Sequence, residues 1–106
     1  MSLPEHVMVV DIDLDPAVAE DWNRWYDEVH LEEITACPGF ERATRYVSPE
    51  PDENGRLRHL TIYELSQPDA MDSPEFAAAR GLGPFAEHAT PRVRRYERHL
   101  DYEAPR

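Results

Sequence analysis

A single cysteine, Cys37, occurs in 106 residues, so an intrachain disulfide and a thiolate metal framework are both excluded. Glycine is scarce, at 4 residues, and no Gly-rich phosphate loop is present, so no nucleotide cofactor is expected. Basic charge is short as well. The 11 basic residues stand against 22 acidic ones, a formal net charge of -11, which removes the cationic face that a nucleic-acid partner needs. Long apolar runs are missing too. The opening MSLPEHVMVVDIDLD has a short apolar part, interrupted by acids and not preceded by a basic region, so neither a signal peptide nor a membrane partner is expected. The expectation is a cytoplasmic protein, a single domain over residues 1–106 with one modest pocket.

Structure is signalled most strongly between Trp22 and Tyr46, in WNRWYDEVHLEEITACPGFERATRY. On a helix, Val18, Trp22, Trp25, Val29 and Ala36 fall in one sector and predict a buried apolar face. Asn23, Tyr26 and His30 run along its flank, spaced to look into one space at the edge of the core. The helix should start at Asp15-Pro16, an N-cap with proline in the first turn, and end near Ala36, before Pro38-Gly39. The spacing of Asp11, Asp13 and Asp15 is that of a calcium loop's opening, but Pro16 and Trp22 occupy the positions of its glycine and closing glutamate, so calcium is discounted.

The remaining elements follow from alternation. His6 to Leu14 reads as a strand with Met8, Val10, Ile12 and Leu14 on one side. Phe40 to Val47 reads as a second, with Phe40, Arg42, Thr44 and Tyr46 sharing a face opposite Glu41, Ala43, Arg45 and Val47. Asn54-Gly55 predicts an antiparallel return into a third strand, Leu57 to Leu65. Ser73-Pro74 caps a short helix over Phe76 to Arg80, the Gly81 to Pro91 segment is broken and expected to be mobile, and Arg92 to Tyr102 reads as strand four. Strand, helix, strand, strand, helix, strand predicts the α+β ferredoxin-like βαββαβ fold, a four-stranded antiparallel sheet with helices on one face. The other sheet face carries apolar and aromatic residues, and a second copy packed on it would cover them, so a homodimer is expected.

The runs WNRWYDEVHL, CPGFERATRY, LTIYEL and SPEF, in this order, resemble the EthD-like branch of the dimeric α/β-barrel superfamily. The resemblance implies a dimer whose sheets form a barrel, with a cleft between sheet and helices in each subunit. It spans monooxygenases, polyketide cyclases, decarboxylases, dehydratases, lactone isomerases and haem-degrading enzymes, so it selects no reaction by itself.

His30 is the expected proton-transfer residue, because an imidazole both donates and accepts near neutrality. Tyr26 and Asn23 would orient a carbonyl or phenol beside it, Trp22 and Trp25 would wall the site, and Glu33 would hold the other imidazole nitrogen. Each has a plainer reading: a solvent-facing His30, a surface Glu33, and Trp22, Trp25 and Tyr26 as core packing. His6, His59, His88 and His99 lie on separate elements without ligand spacing, although His59 and His99 could face each other across the sheet, so no metal is expected. Two functions stand at this point: a cofactor-independent lyase, isomerase or cyclase acting on a hydrophobic aromatic or polyketide-like molecule, and a non-enzymatic dimeric binding protein. Cofactorless or haem-linked oxygenation is a further alternative.

Overall fold

The computed structural model describes residues 3–105. Four strands, β1 (His6–Leu14), β2 (Phe40–Val47), β3 (Arg58–Leu65) and β4 (Ala89–Glu97), form one antiparallel sheet in the order β2-β3-β1-β4. One face is covered by the helical segment between β1 and β2 and by the shorter α3 (Pro74–Ala79) between β3 and β4. This is the expected ferredoxin-like arrangement.

The first helical segment begins where the sequence says it should. Asp15 accepts a 3.0 Å bond from the Ala17 amide and Pro16 opens the first turn, satisfying a donor that has no partner within the helix. The helix then departs from regularity. α1 (Ala19–Trp25) leads into a π turn (Tyr26–His30), closed by the Leu31 amide on the Tyr26 carbonyl, and continues as α2 (Leu31–Thr35). Trp22, Tyr26, His30 and Ile34 are the buried residues of this segment. Spaced by four on a regular helix, they would drift by about 40° per step. The wider π turn absorbs that drift and keeps all four on the core. The expected apolar sector is corrected accordingly: Val29 is 44% exposed and Ala36 is exposed, while the supposed flank of Tyr26 and His30 is the buried centre.

Gly39 makes the turn into β2 with φ 85°, and a Cβ there would sit 2.8 Å from Ala70 Cβ. Only glycine meets both conditions. A register shift between Phe40 and Arg42 then leaves Glu41 unpaired. The bulge inverts the alternation downstream: Phe40 opposes Leu65, Ala43 opposes Tyr63 and Arg45 opposes Thr61, all on the helix-covered face. Arg42, Thr44 and Tyr46 therefore do not share a face with Phe40, as simple alternation predicted.

β4 also begins three residues earlier than expected, because Pro91 is tolerated on an edge strand. It ends at Glu97, opposite His6, where β1 starts. Beyond it, among the described residues, the Arg98 amide continues the pairing, to the Glu5 carbonyl at 2.7 Å. His59 and His99 do not face each other: β1 lies between β3 and β4, and His99 is past the end of the sheet.

Met8, Ile12, Leu14, Trp22, Tyr26, Ile34 and Tyr63 are at most 2% exposed and form the centre of the core. Each aliphatic side chain buried this way contributes about 1.5–3 kcal/mol. On the reverse face the register aligns Val7, Val9, Leu60 and Ile62, flanked by Tyr46 and Tyr96, which are 55% and 51% exposed. Among the described residues no helix is long and apolar enough to cross a membrane.

Candidate functional site

A cavity of about 400 Å³ opens between the helices and the β1-β4 half of the sheet. Its floor is Met8 and Val10 of β1, with Pro91 and Val93 of β4, and α3 supplies Phe76 on the far wall. Ser73 caps that helix with a 3.0 Å bond from the Phe76 amide, which fixes where the wall begins. The exposed Arg80, just past the end of α3, is the one cationic side chain in the lining. Methionine and aromatic side chains, among them Met8, Met71, Phe76, Tyr26 and Tyr63, make the chamber suited to a flat apolar molecule.

Three polar groups converge inside it: His30, Tyr26 and Tyr63. The π turn delivers Tyr26 and His30 one above the other, with rings 4.9 Å apart and edge to face. Tyr63 comes from β3, and its hydroxyl lies 2.9 Å from that of Tyr26. Two hydroxyl hydrogens are present and the pair consumes one, leaving the other to be placed elsewhere. Burial pushes both phenols up from their ordinary range, so they are neutral hydrogen-bonding groups at pH 7.

His30 is 5% exposed, and burial lowers its pKa against the opposing pull of the Glu33 carboxylate. It is consequently a neutral imidazole at pH 7, able to accept a proton. Its Nδ1 is buried without a hydrogen-bond partner among the described residues. Glu33 Oε1 stands 3.9 Å from it, in ion-pair range but beyond a hydrogen bond, and the Glu33 side chain is half exposed. The ring is held by stacking instead: Trp25 lies parallel at 4.7 Å and 18°, and Phe85 backs Trp25 at 5.6 Å.

Of the expected site residues, the structure brings Tyr26 and His30 to one cavity and leaves the others outside its wall. Asn23 is the clear correction. Its amide nitrogen donates to the Ala19 carbonyl at 2.8 Å and its oxygen accepts from Arg45 at 2.8 Å, so both ends of the amide are occupied away from the chamber. Asn23 stands three residues before Tyr26, about 60° short of a full helical turn, and that offset carries it past the cavity to Arg45 on the β2 side. Trp22 is fully buried core, and Trp25 supports His30 from behind. Glu33 lies at the rim of the helix, near His30 but not bonded to it.

Tyr63 and Arg45 were not anticipated. Tyr63 carried one usable signal, a polar-tipped aromatic in a strand otherwise rich in β-branched and leucine residues. Arg45 carried none, because the bulge at Glu41 decides its face. Its guanidinium lies 5.0 Å from the Trp22 ring centre and 4.9 Å from that of Tyr26, a cation-π position. It also donates to Asp27, Asn23 and His59 Nδ1. Among the described residues no three His, Cys, Asp or Glu side chains gather as a metal-binding group.

Comparison with protein-family models and with curated protein sequences finds no match. Solved structures do match. HapK from Hahella chejuensis superposes with a TM-score of 0.64 at 16% identity, over 94% of this chain and 99% of that one. SnoaB, a cofactor-independent oxygenase from Streptomyces nogalater, gives 0.56 at 14% identity, over 92% and 96%. Rv0793 from Mycobacterium tuberculosis gives 0.50 at 20% identity, over 94% and 99%. At these identities the likeness carries the fold alone, a four-stranded antiparallel sheet with helices on one face.

Proposed function

We propose that this protein is a cofactor-independent enzyme of the lyase, isomerase or cyclase type that moves a proton on a hydrophobic aromatic or polyketide-like molecule. The observation that carries the reading is the His30 imidazole in the wall of an apolar chamber that also holds the Tyr26-Tyr63 hydroxyl pair. A carbonyl or phenol oxygen of the ligand accepts from the hydroxyl pair, which stabilises the negative charge that develops there. The neutral imidazole removes the proton that the polarised group has made acidic and returns it at another position. Met71, Phe76 and the other apolar walls exclude water and strengthen both interactions. Cofactorless oxygenation uses the same equipment, deprotonation of a phenol or enol next to a dry pocket. The cofactor-independent oxygenase activity of SnoaB, on a similar fold, supports keeping that reaction within the proposal.

The same reading makes the protein a cytoplasmic homodimer of the EthD-like branch. The open apolar sheet face supports the dimer, and the buried free thiol of Cys37 suits a reducing compartment.

A second reading, a binding protein without chemistry, draws on the environment of His30. Its ring is packed flat on Trp25, and no carboxylate hydrogen-bonds to it to orient it as a base.

One experiment separates the two. A panel of hydroxynaphthalenes and aryl ketones is screened for thermal stabilisation, and the binders are incubated with protein in deuterated water. Deuterium entering carbon next to the carbonyl with wild type, and at least 100-fold more slowly with His30→Gln at unchanged affinity, is the expected outcome. Binding without exchange or conversion would establish the non-catalytic reading.

A further inference from the structure

Arg80 is the charged side chain in the cavity wall that the proton chemistry above does not use. The chain has twice as many acids as bases, and most of the described arginines reach a carboxylate. Among the described residues the Arg80 guanidinium does not, nor does it donate to a carbonyl as Arg98 does. Arg92 and Arg94 are likewise unpaired, but they stand opposite Asp11 and Val9 on the reverse face of the sheet, away from the cavity. The position of Arg80 is fixed from both sides. Its amide donates to the Phe76 carbonyl at 2.9 Å at the end of α3, and Gly81 and the buried Leu82 follow it in the same wall. Exposure is graded across the chamber. Tyr26, Tyr63 and His30 are buried, whereas Arg80 and Pro91 and Val93 of β4 are exposed. The arginine and the edge strand therefore form the mouth, and the hydroxyl pair lies at the inner end.

We infer that the substrate is an aromatic acid, whose carboxylate pairs with Arg80 at the mouth while its phenol or carbonyl oxygen reaches the Tyr26-Tyr63 hydroxyls inside. This names the substrate class for the reaction proposed above and rests on the same cavity being its site. A guanidinium meets a carboxylate through two parallel N–H donors, a pairing both stronger and more directional than a single contact. At the mouth both ions keep part of their water, so the pair forms without the cost of full burial. A phosphate ester fits less well. It brings a charge of about -1.5 to -2 to a single cation, on a chain whose net charge of -11 repels the excess. Cavity volume, about 400 Å³, is near the lower end of the range that holds small ligands, which suits a ring system of about two fused rings. Anchoring one end of that ring system decides which end enters first, and so which carbon faces His30. Arg80 sets specificity and orientation and takes no part in the proton transfer.

The probes are 6-hydroxy-2-naphthoic acid and its neutral isostere 6-hydroxy-2-naphthamide, titrated calorimetrically into the full chain at pH 7.5. Wild type should bind the acid at least tenfold more tightly than the amide. The ratio should fall to about one in Arg80→Gln and be kept in His30→Gln. Equal affinities in wild type, no binding of either probe, or a preference undiminished in Arg80→Gln would overturn the inference. The wild-type ratio needs no variant, so it stands whether or not the Arg80 variant folds. Acid-selective binding without deuterium exchange would overturn the proton chemistry and leave the carboxylate site standing, whereas exchange without acid preference would do the reverse.

Discussion

Two imidazoles, His30 and His59, are buried neutral, and their pH behaviour follows from that. Burial lowers both below the ordinary 6.5; Glu33 opposes the shift at His30, whereas Arg45 adds to it and Asp27 opposes it at His59. Unfolded chains bind these protons near pH 6.5 and the folded chain only at lower pH, so in between the unfolded state holds more protons. Stability should therefore fall as pH drops from about 6.5 through the lower folded values, and level off beneath them. Urea unfolding at pH 7.5 and 5.5 should show the loss, with the slope reduced in His30→Gln and in His59→Gln. Asp52 and Glu97 act in the same sense, but in the carboxylate range near pH 4. At the hydroxyl pair, Tyr63→Phe removes one partner of the buried Tyr26 hydroxyl, a loss of about 0.5–1.5 kcal/mol. Adding Tyr26→Phe to it should cost less than the two single changes summed, which a double-mutant cycle in urea measures. His30 and Tyr26 were legible in the sequence because a four-residue spacing on a helix is a local property. Tyr63 became a partner only through a contact 37 residues away.

Within the elements, the π turn is the feature that most affects the site. It adds one residue to a helix whose two ends still face the core, and the exposed Val29 belongs to it. Deleting Val29 should give a regular helix with buried positions spaced four, three and four. The variant should fold with unchanged helical circular dichroism while the Tyr26-His30 edge contact is lost. Ligands of the cavity should then bind at least tenfold more weakly, as isothermal titration would record. Turns make a second comparison. Gly39 and Gly55 both have positive φ, 85° and 75°, but a Cβ would strike Ala70 only at Gly39. Gly55→Ala should cost about 1 kcal/mol for strain alone, and Gly39→Ala distinctly more, read as the shift in urea midpoint. Caps and turns of this kind were visible in the sequence, since Asp15-Pro16, Ser73-Pro74 and Asn54-Gly55 act on their own neighbours. The bulge at Glu41 was not visible, since it arises from how β2 meets β3.

At the scale of the molecule, the reverse face of the sheet is the surface that a second copy of the chain would cover. Val7, Val9, Leu60 and Ile62 form an apolar centre with no helix over it, flanked by Tyr46 and Tyr96. A two-fold packing of two such faces would bury it. Wild-type protein is expected to elute as a dimer in light-scattering chromatography. Ile62→Glu, which places a charge at the centre of that face, should shift it to monomer by more than tenfold in dissociation constant while leaving the cavity intact.

The sequence by itself determined the order of the elements, the ends of the main helix, the sheet's two-sided character and the aromatic helix that carries His30. These are set by neighbours within a turn or two of chain, where periodicity, caps and proline act. Only the tertiary structure decided which polar groups meet: that Asn23 turns to Arg45, that Tyr63 joins Tyr26, and that His59 rather than His99 is buried. A bulged residue and a widened helical turn set those meetings. Each shifts the facing of every residue that follows it, and each is stabilised by contacts between segments far apart in the chain.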